Sequence, residues 1–140
     1  MKSRTYLTRS EEETIALGRD LGPRLGGIVL LIGNLGAGKT TLAKGIVEGR
    51  GAARGDEVSS PTFTLIHQYG SGDDAVYHVD LYRLDEARQV ESLGLDDLFA
   101  GGALVLLEWA ERFPALLPAQ RVEIRMRALD DDSREITITR

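Results

Sequence analysis

The sequence predicts an α/β fold, and three patterns along the chain support this prediction. Two short runs, 28–32 and 103–107, consist of apolar residues alone, which is typical of strands buried on both faces of a parallel sheet. A glycine-rich segment, 33–41, joins the first of these strands to an apolar stripe with helical spacing. Further along the chain, apolar and polar residues alternate, which indicates additional strands.

The first half of the chain is predicted to contain a helix, a buried strand and a second helix. Ser10 and Glu13 have the spacing of a capping box, so the first helix should begin there and end between Pro23 and Leu25. Its apolar face repeats at helical spacing, in the order Thr14, Leu17, Leu21 and Leu25. After the strand at 28–32 and the glycine-rich segment, a second stripe follows in the order Leu42, Ala43, Ile46 and Val47.

Residues 62–69 and 76–84 alternate in polarity and are predicted to form a β-hairpin around a loop at 70–75. In the second strand, one face would carry Tyr77, Val79 and Leu81, and the other His78, Asp80 and Tyr82. We therefore expect the Asp80 carboxylate near a strand end, on the side away from the core.

The second half of the chain is predicted to add two short helices and three strands. Residues 85–99 have helical spacing that is broken at Gly94. The apolar strand at 103–107 ends at Glu108, and the alternating segments 121–128 and 134–140 flank a turn. The sequence has no internal repeat, and its length of 140 residues fits one domain over 1–140.

Composition excludes several classes of protein. A net charge of −5 disfavours a protein that grips a nucleic-acid backbone by itself. The sequence contains no cysteine, which excludes disulfides and thiolate metal sites. No apolar run approaches the roughly 20 residues of a membrane span, and the first residues lack the apolar core of a secretory signal. We therefore expect a cytoplasmic location and no membrane partner.

The segment GNLGAGKTT, residues 33–41, has the pattern GxxxxGKT of a phosphate-binding loop. Glycines let the backbone N–H groups surround phosphates, Lys39 would reach the β- and γ-phosphates, and the Thr40 hydroxyl would ligate Mg²⁺. We expect Lys39 at an exposed junction of loop and helix. The predicted binding residues are Gly33, Asn34, Leu35, Gly36, Ala37, Gly38, Lys39, Thr40 and Thr41.

Two carboxylates are candidates for the chemistry at this loop. Glu108 ends a buried strand, where an open α/β sheet presents its ligands, and Asp80 ends the alternating run. Solvated carboxylates at strand ends are the alternative interpretation of both residues. Glu111 is expected at the surface. Thr62 and Thr64 would share one face of a loop that senses the γ-phosphate, or would simply start a strand.

Three aromatic or imidazole side chains have open interpretations. His67 and His78 lack the spacing of metal ligands, so packing or surface positions are expected for both. Trp109, beside Glu108, belongs either to the core or to a surface that contacts a partner or a nucleotide base.

Four segments of the chain read GNLGAGKTT, SPTFTLIHQY, HVDLYRL and LLEWAE. In this order and at these separations they resemble the TsaE family, bacterial ATPases required for the threonylcarbamoyladenosine modification of tRNA. The first segment is shared by many families, whereas SPTFT followed by HVDLYR and EW is much more specific. The match runs from the first helix to the residues after Trp109.

The resemblance implies a P-loop NTPase-like fold of three layers, with a mixed central sheet flanked by helices. It further implies ATP and Mg²⁺ as ligands, and the TsaD and TsaB proteins as partners that modify adenosine 37. Contact with tRNA would then be indirect, through that complex, and the isolated chain would be a weak Mg²⁺-dependent ATPase.

The resemblance also implies roles for particular residues. Lys39 and Thr40 would hold phosphate and metal, and Thr62 would lie in a switch-like loop. Asp80 would lie near the metal, and Glu108 near the γ-phosphate and its water. Lys39 and both carboxylates would be catalytic, and both carboxylates would ligate the metal with Thr40. Trp109 is included among the nucleotide contacts. Two positions depart from the usual family pattern, since Asn34 replaces a frequent Asp and Ala110 a frequent Pro.

Three other functions are alternatives to this one. A small-molecule kinase needs a substrate-binding insertion and a lid, and the segment 84–99 is too short to supply both. A GTP-binding switch protein usually carries an N-K-x-D motif, and Asn34 is the only asparagine in the sequence. A nucleotide-sensing adaptor that does not hydrolyse its ligand remains an alternative.

Overall fold

The computed structural model describes residues 2–140, in which seven strands form one sheet. The strands are β1 (Ser3–Thr8), β2 (Ile28–Ile32), β3 (Ile66–Tyr69), β4 (Val76–Asp80), β5 (Leu104–Glu108), β6 (Val122–Ala128) and β7 (Arg134–Thr139). The helices are α1 (Glu11–Leu21), α2 (Lys39–Gly49), α3 (Ala87–Glu91) and α4 (Leu95–Ala100). The spatial order of the strands is β1-β7-β6-β2-β5-β4-β3.

The sheet is mixed, as predicted. β2 pairs in parallel with β5 and β6, β4 pairs in parallel with β5, and the outer pairs are antiparallel. One face of the sheet packs against α1 and α2, and the other packs against α3, α4 and the 3-10 segment Ala110–Arg112. The predicted three-layer α/β class is therefore confirmed.

The capping residues of α1 agree with the sequence prediction. The Glu13 backbone N–H donates to the Ser10 hydroxyl at 3.1 Å, which satisfies one of the free donors at the start of the helix. The Glu13 carboxylate accepts from the backbone N–H of Arg9 at 3.0 Å. The α-helix ends at Leu21, and a 3-10 turn, Gly22–Arg24, continues toward the buried Leu25.

Strand β1 was missed by the sequence analysis. Of its six residues only Thr8 is buried, so an apolar pattern is absent. The strand is held instead by pairing with β7, where the hydroxyls of Ser3 and Thr139 lie 3.0 Å apart, as do those of Thr5 and Thr137.

The predicted hairpin exists, but both strands are shorter, and the expectation that one face of the second strand lies away from the core was wrong. Residues 62–64 form a turn, and Leu65 has a positive φ of 70°. β4 lies between β3 and β5, and its residues pack into the core on both sides of the sheet, Val76 on one and Val79 on the other, so both faces of the strand are covered. His78 and Asp80, expected away from the core, are buried.

Glycines allow the backbones of α1 and α2 to meet. A Cβ added at Gly45 would lie 2.1 Å from the Ile15 carbonyl oxygen and 2.9 Å from the Gly18 Cα. No side chain therefore fits between the two helices at this point, and the backbones of α1 and α2 lie in direct contact.

We expect Gly45→Ala to lower the free energy of unfolding by about 1–3 kcal/mol, because overpacking at a rigid backbone contact outweighs the better helix propensity of alanine. Denaturant unfolding measures this difference. Gly26→Ala is the matched control, since nothing lies within 4 Å of its added Cβ. Equal midpoints for the two variants would show that the helices move apart without penalty.

Candidate functional site

The glycine-rich loop connects β2 to α2 and turns back over the end of the sheet. Gly36 and Gly38 have φ of 81° and 98°, in the left-handed region that favours glycine. At Gly33 an added Cβ would lie 2.7 Å from the Met126 carbonyl oxygen. The Ala37 N–H donates to the Asn34 carbonyl at 3.0 Å and closes the turn. The spacing of glycines therefore follows from this backbone path.

The loop delivers the start of α2 into a cleft of about 390 Å³. Gly38 is the N-cap of this helix and provides no side-chain cap, so the N–H groups of the first turn remain available to an anion. The residues that line the cleft are Leu35, Gly36, Ala37, Gly38, Lys39, Thr40, Thr41, Ser60, Thr62, Asp80, Tyr82, Glu108, Trp109 and Arg134. This arrangement suits a phosphate chain.

Lys39 is buried, and the expectation of an exposed junction was wrong. Its side chain is covered by Trp109, whose ring centroid lies 3.7 Å from Nζ, and only 5% of the residue is exposed. Nζ donates to the Gly33 carbonyl at 2.8 Å. Burial lowers the pKa of the Lys39 ammonium from its usual value, and nearby carboxylates, above all Glu108, oppose this shift.

Asp80 and Glu108 end adjacent parallel strands and are direct partners in the register of β4 and β5. Both are buried, and both line the cleft with Thr40. Two carboxylates and a hydroxyl are oxygen ligands of the kind that Mg²⁺ takes beside phosphate. Within residues 2–140, no three His, Cys, Asp or Glu side chains are grouped so that they could hold a metal ion.

Asp80 is held by the loop that precedes β3. The hydroxyls of Ser60 and Thr62 lie 3.2 and 3.0 Å from its Oδ2 atom, and the Tyr82 N–H donates to Oδ1 at 2.8 Å. Thr62 thus lies at the site and in a turn, not in a strand, whereas Thr64 is exposed. Ser60 was missed by the sequence analysis, although it belongs to the same short motif.

Glu108 contacts the buried ring of His78 through its Oε2 atom and the histidine Nε2. His78 is therefore a packed residue, as expected, but one that fixes a candidate catalytic carboxylate. Glu111 was expected at the surface and is instead half-buried, with a buried Oε1 atom, near enough to affect the pKa of Lys39.

Trp109 is half-buried and follows β5 with a positive φ of 65°. Its ring contacts Lys39, and the Tyr82 ring centroid is 5.1 Å away. Trp109 lines the cleft and shields Lys39, a role that the sequence did not predict, and it also packs against the core. Sequence patterns near Trp109 contain no signal for this contact, because Lys39 is 70 positions away.

Arginines near the cleft are engaged with the chain itself. Arg112 donates to the carbonyls of Leu81, Tyr82 and Leu84. Arg134, which the sequence analysis missed, donates to carbonyls of the glycine-rich loop. Nothing in the local sequence of either residue indicates these long-range contacts.

Known proteins resemble this chain over nearly its whole length. The family model described as "Threonylcarbamoyl adenosine biosynthesis protein TsaE" matches residues 8–136. The tRNA threonylcarbamoyladenosine biosynthesis protein TsaE of Bacillus subtilis is 42% identical over 141 residues, which cover 99% of this chain and 87% of the relative. The protein of the same name from Nostoc is 42% identical over 135 residues, 92% of this chain and 81% of the relative.

A solved structure supports the same grouping. The crystal structure of YdiB from Bacillus subtilis aligns with a TM-score of 0.77 and 36% identity, covering 98% of this chain and 84% of that one. In residues 2–140, none of the helices has the length and apolar character needed to cross a membrane. The agreement of family model, relatives and fold shows that this chain belongs to the TsaE family.

Proposed function

We propose that this chain binds ATP with Mg²⁺ and hydrolyses it in the cytoplasm, as an accessory to the threonylcarbamoyladenosine modification of tRNA at adenosine 37. The observation that carries the proposal is the meeting of the GxxxxGKT loop with the carboxylates of Asp80 and Glu108 in one cleft. The names of the family and of its relatives support the pathway.

In this proposal the backbone of 33–41 surrounds the phosphates, and Lys39 places its charge beside them. Thr40, Asp80 and Glu108 would hold Mg²⁺ or its water shell, and the metal would neutralise phosphate charge when bound. Trp109 and Thr62 complete the contacts around the phosphate end. All of these residues except Gly33 and Asn34 line the cleft.

The proposal assigns the activation of water to Glu108, the role that the family resemblance implies for it. It would accept a proton from the attacking water as the water oxygen bonds to the γ-phosphorus. The bond from phosphorus to the β,γ-bridging oxygen would break and release ADP and inorganic phosphate. A sensing adaptor would bind ATP in the same cleft without this step, so phosphate release distinguishes the two functions.

We expect Lys39→Ala to weaken ATP binding about 10- to 100-fold, because a charged hydrogen bond to phosphate contributes on the order of 1.5–3 kcal/mol. Titration with a fluorescent ATP analogue measures the affinity. Lys44→Ala, on the same helix but outside the lining of the cleft, is the control. An unchanged affinity in a Lys39→Ala protein with the parent circular dichroism spectrum would refute the assignment of the loop.

A further inference from the structure

Arg134, the first residue of β7, bridges the glycine-rich loop and the turn that joins β6 to β7. Its Nε atom donates to the Ala37 carbonyl at 3.0 Å, and Nη2 donates to the Gly36 carbonyl at 3.2 Å. Nη1 lies 3.0–3.2 Å from three carbonyl oxygens of the turn, those of Asp130, Asp131 and Ser133. One guanidinium thus contacts both the turn beside it and a loop residue 97 positions away.

The direction of these carbonyls determines the direction of the next N–H groups. In a planar trans peptide the C=O and the following N–H point to opposite sides. With the Gly36 carbonyl turned toward Arg134, the Ala37 N–H points into the loop, where it donates to Asn34. With the Ala37 carbonyl also turned toward Arg134, the Gly38 N–H points away from the arginine.

The site leaves little room for another arrangement. A Cβ added at Gly38 would lie 3.4 Å from Arg134 Nε, so the arginine packs directly against the N-cap residue of α2. The turn on the other side is itself fixed, because the Asp130 carboxylate accepts from the N–H groups of Asp132 and Ser133 at 3.0 and 2.7 Å. The turn that Arg134 contacts is therefore itself held by hydrogen bonds to the Asp130 carboxylate.

We infer that Arg134 is a positioning residue, which fixes the peptide planes at Gly36 and Ala37 so that the loop is shaped for phosphate before the nucleotide arrives. This inference rests on the proposed binding of ATP at 33–41. The planar guanidinium is required, because its nitrogen atoms donate to the loop and to the turn at the same time. A lysine ammonium is a single point charge and cannot contact both segments. If the positive charge alone mattered, lysine would replace Arg134 without loss of affinity.

The test compares Arg134→Lys with the parent chain by titration of Mg-ATP and of inorganic tripolyphosphate. We expect both ligands to bind about 10-fold or more weakly, the scale on which supporting residues affect a site that they orient. The rate of hydrolysis at saturating ATP should change much less, because Arg134 shapes the loop and does not act on the reacting atoms. Arg127→Lys is the matched control, since Arg127 lies on the same hairpin in an exposed ion pair with Glu135.

Parent affinity in Arg134→Lys would overturn the inference, as would an affinity loss that Arg127→Lys shares. An equal fall in the saturating rate would also overturn it, because that result assigns Arg134 to the chemical step. If Arg134→Lys does not fold, Asp130→Ala decides, because it loosens the turn at an exposed position and leaves the arginine in place. Weaker binding in that variant supports positioning, and parent affinity refutes it. Failure of the parent chain to bind Mg-ATP would instead refute the proposed function.

Discussion

Glu108→Gln should bind ATP nearly as well as the parent chain and hydrolyse it about 100-fold more slowly or worse. Glutamine keeps the shape of the side chain but loses the charge that would accept a proton from water. The residue is buried at the end of β5 and held by His78, so its position allows little adjustment. Single-turnover release of phosphate at saturating ATP, with binding measured in parallel, separates the two effects.

Asp80→Asn is the informative companion to this variant. Asp80 is held by Ser60 and Thr62 through Oδ2, and its proposed role is on the metal side of the cleft. Its loss of charge should make hydrolysis depend more strongly on Mg²⁺ concentration. Glu91→Gln, an exposed change on α3, controls for the loss of a carboxylate elsewhere. Normal turnover in both site variants would mean that Asp80 and Glu108 are structural.

The features that the sequence predicted correctly are those encoded in contiguous residues. Strands at 28–32 and 104–108 follow from continuous apolar runs, because both faces of a central strand need apolar partners. The glycine-rich loop follows from spacing alone, since positive φ at Gly36 and Gly38 restricts those positions. The helix break at Gly94 has the same cause.

The features that the sequence did not predict depend on distant residues. Trp109 covers Lys39, and Ser60 and Thr62 from the loop before β3 contact the Asp80 carboxylate. Arg134 meets the loop only after β7 has paired with β6. The alternation of polar and apolar residues assigns side chains to the two faces of a strand. It does not show whether a second layer covers the polar face.

Addition of TsaD and TsaB proteins should raise ATP hydrolysis by this chain about 10³- to 10⁵-fold, the range in which a partner's arginine acts on other P-loop proteins. The physical reason lies in the contacts that three arginines near the cleft already make within the chain. Arg112 and Arg134 are engaged with backbone carbonyls, and Arg83 lies 5.0 Å from the exposed Phe63 ring. None of these three guanidinium groups is placed to stabilise charge on a γ-phosphate without help.

The decisive assay measures phosphate release at fixed salt with the chain alone, with tRNA, with TsaD and TsaB, and with all of them. We expect tRNA alone to have no effect, because a chain of net charge −5 gains little from releasing the counterions of RNA. Fast turnover by the isolated chain, or stimulation by tRNA without the proteins, would overturn the partner-dependent mechanism. Neither result would contradict the assignment of the nucleotide site, because ATP affinity and its loss in Lys39→Ala are measured without any partner.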